Sequence, residues 1–171
     1  MIRIAAALPP LFVLLAFARA RNRSFPGSAK VLRAEFQAEL SSQPDTTMVS
    51  KDGSTFIRLS RNKLDLARCV SRVTEASCGA IATFLGTTRS SFNGRPVISL
   101  EYEAYESMAL NEMLRCANLA RTVYPELHGI VIEHKLGACP VAETSIIIVA
   151  ASPHRQDALA AVAMMVRACL L

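Results

Sequence analysis

Residues 79–104 read GAIATFLGTTRSSFNGRPVISLEYEA, and this stretch decides the fold class. Residues 79–86 form an apolar run too short for a helix, which reads as a buried strand. Residues 87–95 are polar and hold Asn93-Gly94, a strong tight-turn pair. From Pro96 the residue types alternate. Val97, Ser99, Glu101 and Glu103 point one way, and Ile98, Leu100, Tyr102 and Ala104 the other, which is a strand with one buried face. Two strands follow one another here with no helix between them.

Working outward, residues 55–60 read as a short strand. Residues 64–75 carry apolar side chains at 66, 69, 70 and 73, a helical spacing. Residues 107–123 read as a helix with Leu110, Met113, Leu114, Ala117 and Ala120 along one side. Residues 129–136 and 145–151 read as strands. Ser152-Pro153 opens a last helix, serine suiting the cap and proline the first turn. That helix runs from His154 to the chain end with Leu159, Val162, Met165, Val166 and Cys169 on its apolar side. The order βαββαββα pairs strands in sequence, so the expectation is α+β: a mixed, largely antiparallel sheet with flanking helices.

Charge and hydropathy divide the chain. Residues 1–34 carry six basic side chains and no acid, whereas residues 35–171 carry 13 basic and 14 acidic ones. The net charge of +5 therefore belongs to the head, and a nucleic-acid partner is not indicated for the near-neutral body. Residues 4–18 are mostly apolar but too short for a stable membrane span, which needs about 20 residues. Three readings remain open for this head. It is a signal peptide, with Ala16-Phe17-Ala18 as a small-x-small cleavage site, a mitochondrial leader, or an uncleaved leader from an alternative start. Residues 1–53 are read as leader and linker, disordered or targeting-like, with a short helix near 30–40, and residues 54–171 as the folded domain. The five cysteines are odd in number, widely spaced and without a CxxC pair, which suits buried free thiols in a reducing compartment.

Few residues are placed to carry chemistry. Arg89 sits in the loop after a buried strand, and His154 and Arg155 sit in the first turn of the last helix. Cations there oppose the helix dipole, while the free N–H groups of the same turn attract phosphate. A bound anion held by Arg155, with His154 as a second donor, reconciles the two. Glu101, Glu103 and Glu106 read as a solvated face rather than a working carboxylate pair. His128 and His134 lack ligand-spaced neighbours, so no metal site is expected, and no cofactor motif occurs. From the residues themselves the reading is an anion-binding α+β domain.

The same residues carry a family resemblance. Residues 79–109, GAIATFLGTTRSSFNGRPVISLEYEAYESMA, resemble the catalytic, or large, subunit of molybdopterin synthase, in its animal form. So do HKLGACPVAE (134–143) and SIIIVAASPHR (145–155). The resemblance implies an α/β hammerhead-like fold and a sulfurtransferase of molybdenum cofactor biosynthesis. Such an enzyme converts cyclic pyranopterin monophosphate into molybdopterin, with sulfur delivered as a thiocarboxylate on the C-terminal Gly-Gly tail of a ubiquitin-like small subunit. Two large subunits form a central homodimer within a heterotetramer in the cytosol. By motif match Arg89, His154 and Arg155 fall on substrate-contacting positions, Thr87 and Thr88 flank them, and the His-Arg pair completes a pocket across the dimer interface.

One departure accompanies the resemblance. The family continues its last helix into a lysine followed by a segment like P-x-W-K-K-E, and those lysines are its catalytic groups. This chain reads RACLL from Arg167, has no tryptophan, and holds its four lysines at 30, 51, 63 and 135. No catalytic residue carries over. The alternative expectation is a non-catalytic, shortened form that keeps the dimer or small-subunit surfaces. A secreted binding domain, suggested by the head and by the sequon Asn22-Arg23-Ser24, ranks last.

Overall fold

The computed structural model describes residues 14–18 and 44–170. Its elements are β1 (Leu14–Ala18), β2 (Thr46–Val49), β3 (Thr55–Ser60), α1 (Leu66–Val73), β4 (Ala80–Thr87), β5 (Ser91–Phe92), β6 (Arg95–Pro96), β7 (Ser99–Ala104), α2 (Glu106–Val123), β8 (Gly129–Lys135), β9 (Gly137–Pro140), β10 (Thr144–Ser152) and α3 (Arg155–Leu170).

The run SIIIVAA within β10 shows no polar alternation because the strand is buried on both faces. Ile146, Ile148 and Ala150 face α2 and α3, together with Ile57, Ile132, Met113, Ala117, Ala161 and Met165. Ile147, Val149 and Ala151 face α1, against Cys69 and Val73. The strand lies inside a five-stranded sheet of order β2-β3-β8-β10-β4. Only the β3–β8 pair is parallel; the others are antiparallel. β7 lies between β1 and β9 in a three-stranded sheet, and β5 and β6 form a small hairpin. Asn93 and Gly94 both take positive φ there (49° and 73°), as the two-residue hairpin turn expected from Asn-Gly requires. The α+β class and the mixed, mostly antiparallel sheet agree with the sequence reading.

The helices start where local chemistry allows. Asp65 caps α1, its carboxylate accepting the N–H groups of Ala67 (2.9 Å) and Arg68 (3.3 Å). Arg72 in its last turn lays its guanidinium over the Phe56 ring at 3.8 Å. The α2 row expected to face the core does so at Leu110, Met113, Ala117 and Ala120, with Ala109 and Cys116 added and Leu114 partly buried.

Three details differ from the expectation. Ser152 does not cap the last helix. It stays in β10 opposite Ala80, its hydroxyl accepts the His154 N–H at 3.3 Å, and α3 starts at Arg155. Leu159 is 62% exposed, because the small side chains of Ala158 and Ala161 let α3 close on the sheet along the row Ala158, Val162, Met165, Cys169. That leaves Leu159 about 100° round the helix from Ala158. The segment read as leader and linker contributes β2, whose Thr46 and Met48 turn inward, and β1, which pairs antiparallel with β7. The helix expected near 30–40 lies outside the described residues.

The α1 side of the core ends in charge. Glu133 is fully buried and receives Arg58 at 2.6 Å and Arg68 at 3.1 Å, while Arg58 also reaches Asp45 at 2.7 Å. These ions lock β3, β8 and α1 together, since each is costly to leave unpaired away from water. We predict that Glu133→Ala, which leaves buried Arg58 with Asp45 as its remaining partner, lowers the unfolding free energy by about 3 kcal/mol. Urea titration followed by circular dichroism measures it.

Candidate functional site

β4 is an edge strand of the five-stranded sheet, and its two ends carry the two groups of residues singled out by the sequence. At one end Ala80 pairs with Ser152, and at the other Thr87 pairs with Thr144. Seven strand steps separate Ala80 from Thr87, roughly 23 Å. His154 and Arg155 therefore lie at one end of β4 and Arg89 at the other. Within one chain they do not meet.

At the Ala80 end, Pro153, His154, Arg155 and Gln156 line an open groove of about 410 Å³ together with Gly79. Gly79 is required there: a Cβ would stand 2.8 Å from the Pro153 carbonyl oxygen. Both His154 and Arg155 are exposed. The His154 imidazole Nε2 lies 3.7 Å from a carboxylate oxygen of Glu126. The first turn of α3 adds free backbone N–H groups, so an oxyanion would find donors in this groove.

At the other end Thr87 and Arg89 are exposed while Thr88 between them is buried. The Arg89 guanidinium lies 5.5 Å from the centre of the Phe92 ring. Thr88 does not face solvent. Its hydroxyl donates to the Cys139 sulfur at 3.3 Å, its N–H to the Glu143 carbonyl at 3.1 Å, and its carbonyl accepts the Ala142 N–H at 2.8 Å. Thr88 thus anchors the loop, and Thr87 and Arg89 face outward. The turn that holds it, between β9 and β10, escaped the sequence reading. Ala142 has a positive φ of 68° without being glycine or asparagine, so no residue type marks it. Lys135 lay inside a strand pattern, and nothing in that pattern indicated that its ammonium turns inward to Glu143 at 2.9 Å.

The remaining candidates resolve plainly. Glu101 and Glu103 are exposed on β7. Glu106 instead joins Arg61 (2.8 Å) and the Thr46 hydroxyl, and the Thr46 bond leads in holding its carboxyl below the usual range. Four of the five cysteines are buried, and all are free. Among the described residues there is no group of three or more His, Cys, Asp or Glu that could hold a metal ion, and no helix long and apolar enough to cross a membrane. His134 is buried beside Tyr102, ring centres 4.9 Å apart and nearly perpendicular, with Nδ1 2.8 Å from the Lys135 carbonyl. Burial pushes its pKa down to about 4.

Fold and site together define an α+β domain with a cationic, anion-receptive group at each end of one edge strand. Comparison with known proteins narrows this. The family model for the MoaE protein matches residues 59–169. A molybdopterin synthase catalytic subunit from Drosophila mojavensis is 49% identical over 110 residues, covering 64% of this chain and 30% of that protein. One from Culex quinquefasciatus is 46% identical over 110 residues, covering 64% of this chain and 70% of its own. The chain spans about 30% of the length of the Drosophila relatives it matches. Among solved structures, molybdopterin synthase from Staphylococcus aureus superposes with a TM-score of 0.62 at 23% identity, over 65% of this chain and 80% of that one. A chain of the protein–protein complex of subunits 1 and 2 of the molybdopterin-converting factor from Helicobacter pylori superposes with a TM-score of 0.54 at 18% identity, over 65% and 75%. These likenesses support the fold. With the family model covering most of its length, the chain belongs to the MoaE protein family.

His134 gives a pH prediction. Its folded pKa, about 4, lies below the ordinary histidine value of 6.5. The unfolded state therefore binds more protons between these values, and stability is present above about pH 6.5 and lost as pH falls toward 4. Replacing His134 by Gln is expected to remove a slope of up to about 1.4 kcal/mol per pH unit in that window. Urea midpoints of both chains at pH 7, 6, 5 and 4.5 measure the difference.

Proposed function

We propose that this chain is the large subunit of a molybdopterin synthase. In this reading it binds cyclic pyranopterin monophosphate and promotes transfer of sulfur onto it from the thiocarboxylated Gly-Gly tail of a ubiquitin-like small subunit, in the cytosol. The observation that carries the reading is that the family match, residues 59–169, contains every candidate site residue.

The separation of the two cationic groups supports a particular arrangement. One chain offers Arg89 with Thr87 at one end of β4 and His154 with Arg155 at the other, so a single phosphate-bearing substrate cannot touch both sets in one copy. A homodimer that sets the Arg89 end of one copy beside the His154 end of the next completes two equivalent pockets. Arg155 and the N–H groups of the first α3 turn suit the phosphate, and Arg89 supplies a second guanidinium from the other copy. Each charge-assisted contact is worth about 1.5–3 kcal/mol, so loss of either arginine weakens substrate binding roughly ten- to a hundredfold.

The reading separates into two tests. Purified chain is mixed with thiocarboxylated small subunit and cyclic pyranopterin monophosphate, and molybdopterin is assayed. A rate above a no-protein control is the expected result, and a rate equal to that control overturns sulfur transfer. The residues after Val166, RACLL, contain no lysine, so no side chain of this chain is assigned the family's lysine role. The second reading is a subunit that binds without turnover. Retention of the small subunit on an affinity column without product formation identifies that case.

The shared pocket has its own prediction. Arg89→Ala and Arg155→Ala chains each bind substrate weakly. Refolded together they regain about a quarter of the wild-type sites, because a mixed dimer holds one intact pocket. Isothermal titration gives the stoichiometry, and no recovery means that the two groups do not share a site.

A further inference from the structure

The Arg89 loop is held almost wholly from one side. Thr88 is the single buried residue between exposed Thr87 and Arg89. Three of its groups are engaged: the N–H by Glu143 O (3.1 Å), the carbonyl by Ala142 N–H (2.8 Å), and the hydroxyl by Cys139 Sγ (3.3 Å). All three partners belong to β9 or to the turn that follows it. Beyond Arg89, the Ser90 carbonyl accepts Val97 N–H at 2.8 Å and closes the loop from the hairpin side.

The turn is itself under constraint. Ala142 occupies the left-handed region at φ 68°, where a side chain is costly and persists only if its surroundings dictate the conformation. Its N–H is the one given to Thr88. The surroundings that dictate it are visible. Glu143 N–H donates to the Pro140 carbonyl (3.0 Å), Val141 N–H to Ile98 O (3.1 Å), and the Cys139 thiol to Glu143 O (3.5 Å). The Glu143 carboxylate is tied to Lys135 Nζ at 2.9 Å, with the Lys135 side chain 7% exposed. Lys135 also donates to the Arg61 carbonyl at 3.3 Å. A lysine ammonium rarely sits inside a protein without a partner that fixes it. Here it anchors the turn to the ends of β3 and β8.

We propose that Lys135 and Glu143, acting through the left-handed Ala142 turn and Thr88, are positioning residues that fix the Arg89 loop for the anionic group of the substrate. They do not touch the substrate. They hold the backbone from which Arg89 projects, so that its guanidinium is ordered before the anion arrives. This inference rests on the reading that Arg89 binds the phosphate-bearing substrate.

The test uses the full chain and five variants: Glu143→Gln, Lys135→Met, Lys135→Arg, Ala142→Val and Arg89→Ala. Amide hydrogen exchange of Thr88 and Ala142, the dissociation constant for cyclic pyranopterin monophosphate, and the urea midpoint are measured for each. Glu143→Gln and Ala142→Val are expected to speed exchange at both amides and to weaken binding, each roughly tenfold. Lys135→Arg, which keeps the ion pair, stays within about twofold of wild type in both. Lys135→Met repeats the Glu143→Gln result, and if it fails to fold, Glu143→Gln decides. A shift in urea midpoint with unchanged loop exchange and unchanged binding overturns the proposal, since that is what a purely structural ion pair does. Arg89→Ala separates the two levels. If it leaves substrate binding unchanged, the substrate reading of Arg89 fails, while the exchange of Thr88 and Ala142 still judges the clamp.

Discussion

The structure depends on one strand that can be apolar on both faces. β10 lies between β8 and β4, with α2 and α3 on one side and α1 on the other, so its nine residues place both cores at once. Fully burying an Ile or Val side chain stabilises by about 1.5–3 kcal/mol, and β10 supplies four of them consecutively. Its ends then become the addresses of the site. Ser152 leads straight into His154 and Arg155, and Thr144 pairs with Thr87 just before Arg89. The distance between the two cationic groups is the length of a doubly buried strand, and no loop adjustment shortens it.

Where a residue pattern reflects burial by period, it was legible in the sequence. The alternation of residues 99–104 shows in β7, with Leu100, Tyr102 and Ala104 inward of exposed Glu101 and Glu103. The α2 row and the Asn93-Gly94 turn were read for the same reason, because each residue's type is decided by its own position. Leu159 was misassigned because hydrophobicity alone does not say which row of a helix approaches closest. Ala158 and Ala161 win by being small, a packing effect that depends on the sheet beneath. β9 and the short strands β5 and β6 were missed or merged into loops, since two to four residues hold too few periods to show alternation.

The candidate site was legible by residue type and not by arrangement. Arg89, His154 and Arg155 stood out as cations in a loop and at a helix start, and they are exposed. Their separation followed only once the pairing of β4 with β10 was known. Thr88, expected to flank the site, is an inward anchor, because its partners are Cys139, Ala142 and Glu143. Those three lie more than fifty positions downstream of it, and no local pattern reports a contact of that range. The buried ions are illegible for the same reason: Arg58, Arg68 and Glu133 meet from β3, α1 and β8.

The two kinds of polar interior differ in what they contribute. The Arg58–Glu133–Arg68 cluster closes the α1 side of the core, where charge is expensive and a hydrophobic replacement of matched shape would serve equally for stability. Lys135 and Glu143 sit nearer the surface, under a turn that is strained at Ala142. An apolar pair there could fill the space but would not set the direction of the Glu143 carbonyl that receives Thr88. Directionality is what hydrogen bonds and ion pairs add beyond burial, and it matters most where a long, flexible arginine must be presented to an anion. In the proposed dimer each pocket takes half its cations from each copy. Substrate binding and association of the copies are then linked, each strengthening the other by the same free energy. An Arg89 loop ordered before association keeps that free energy from being spent on ordering the loop.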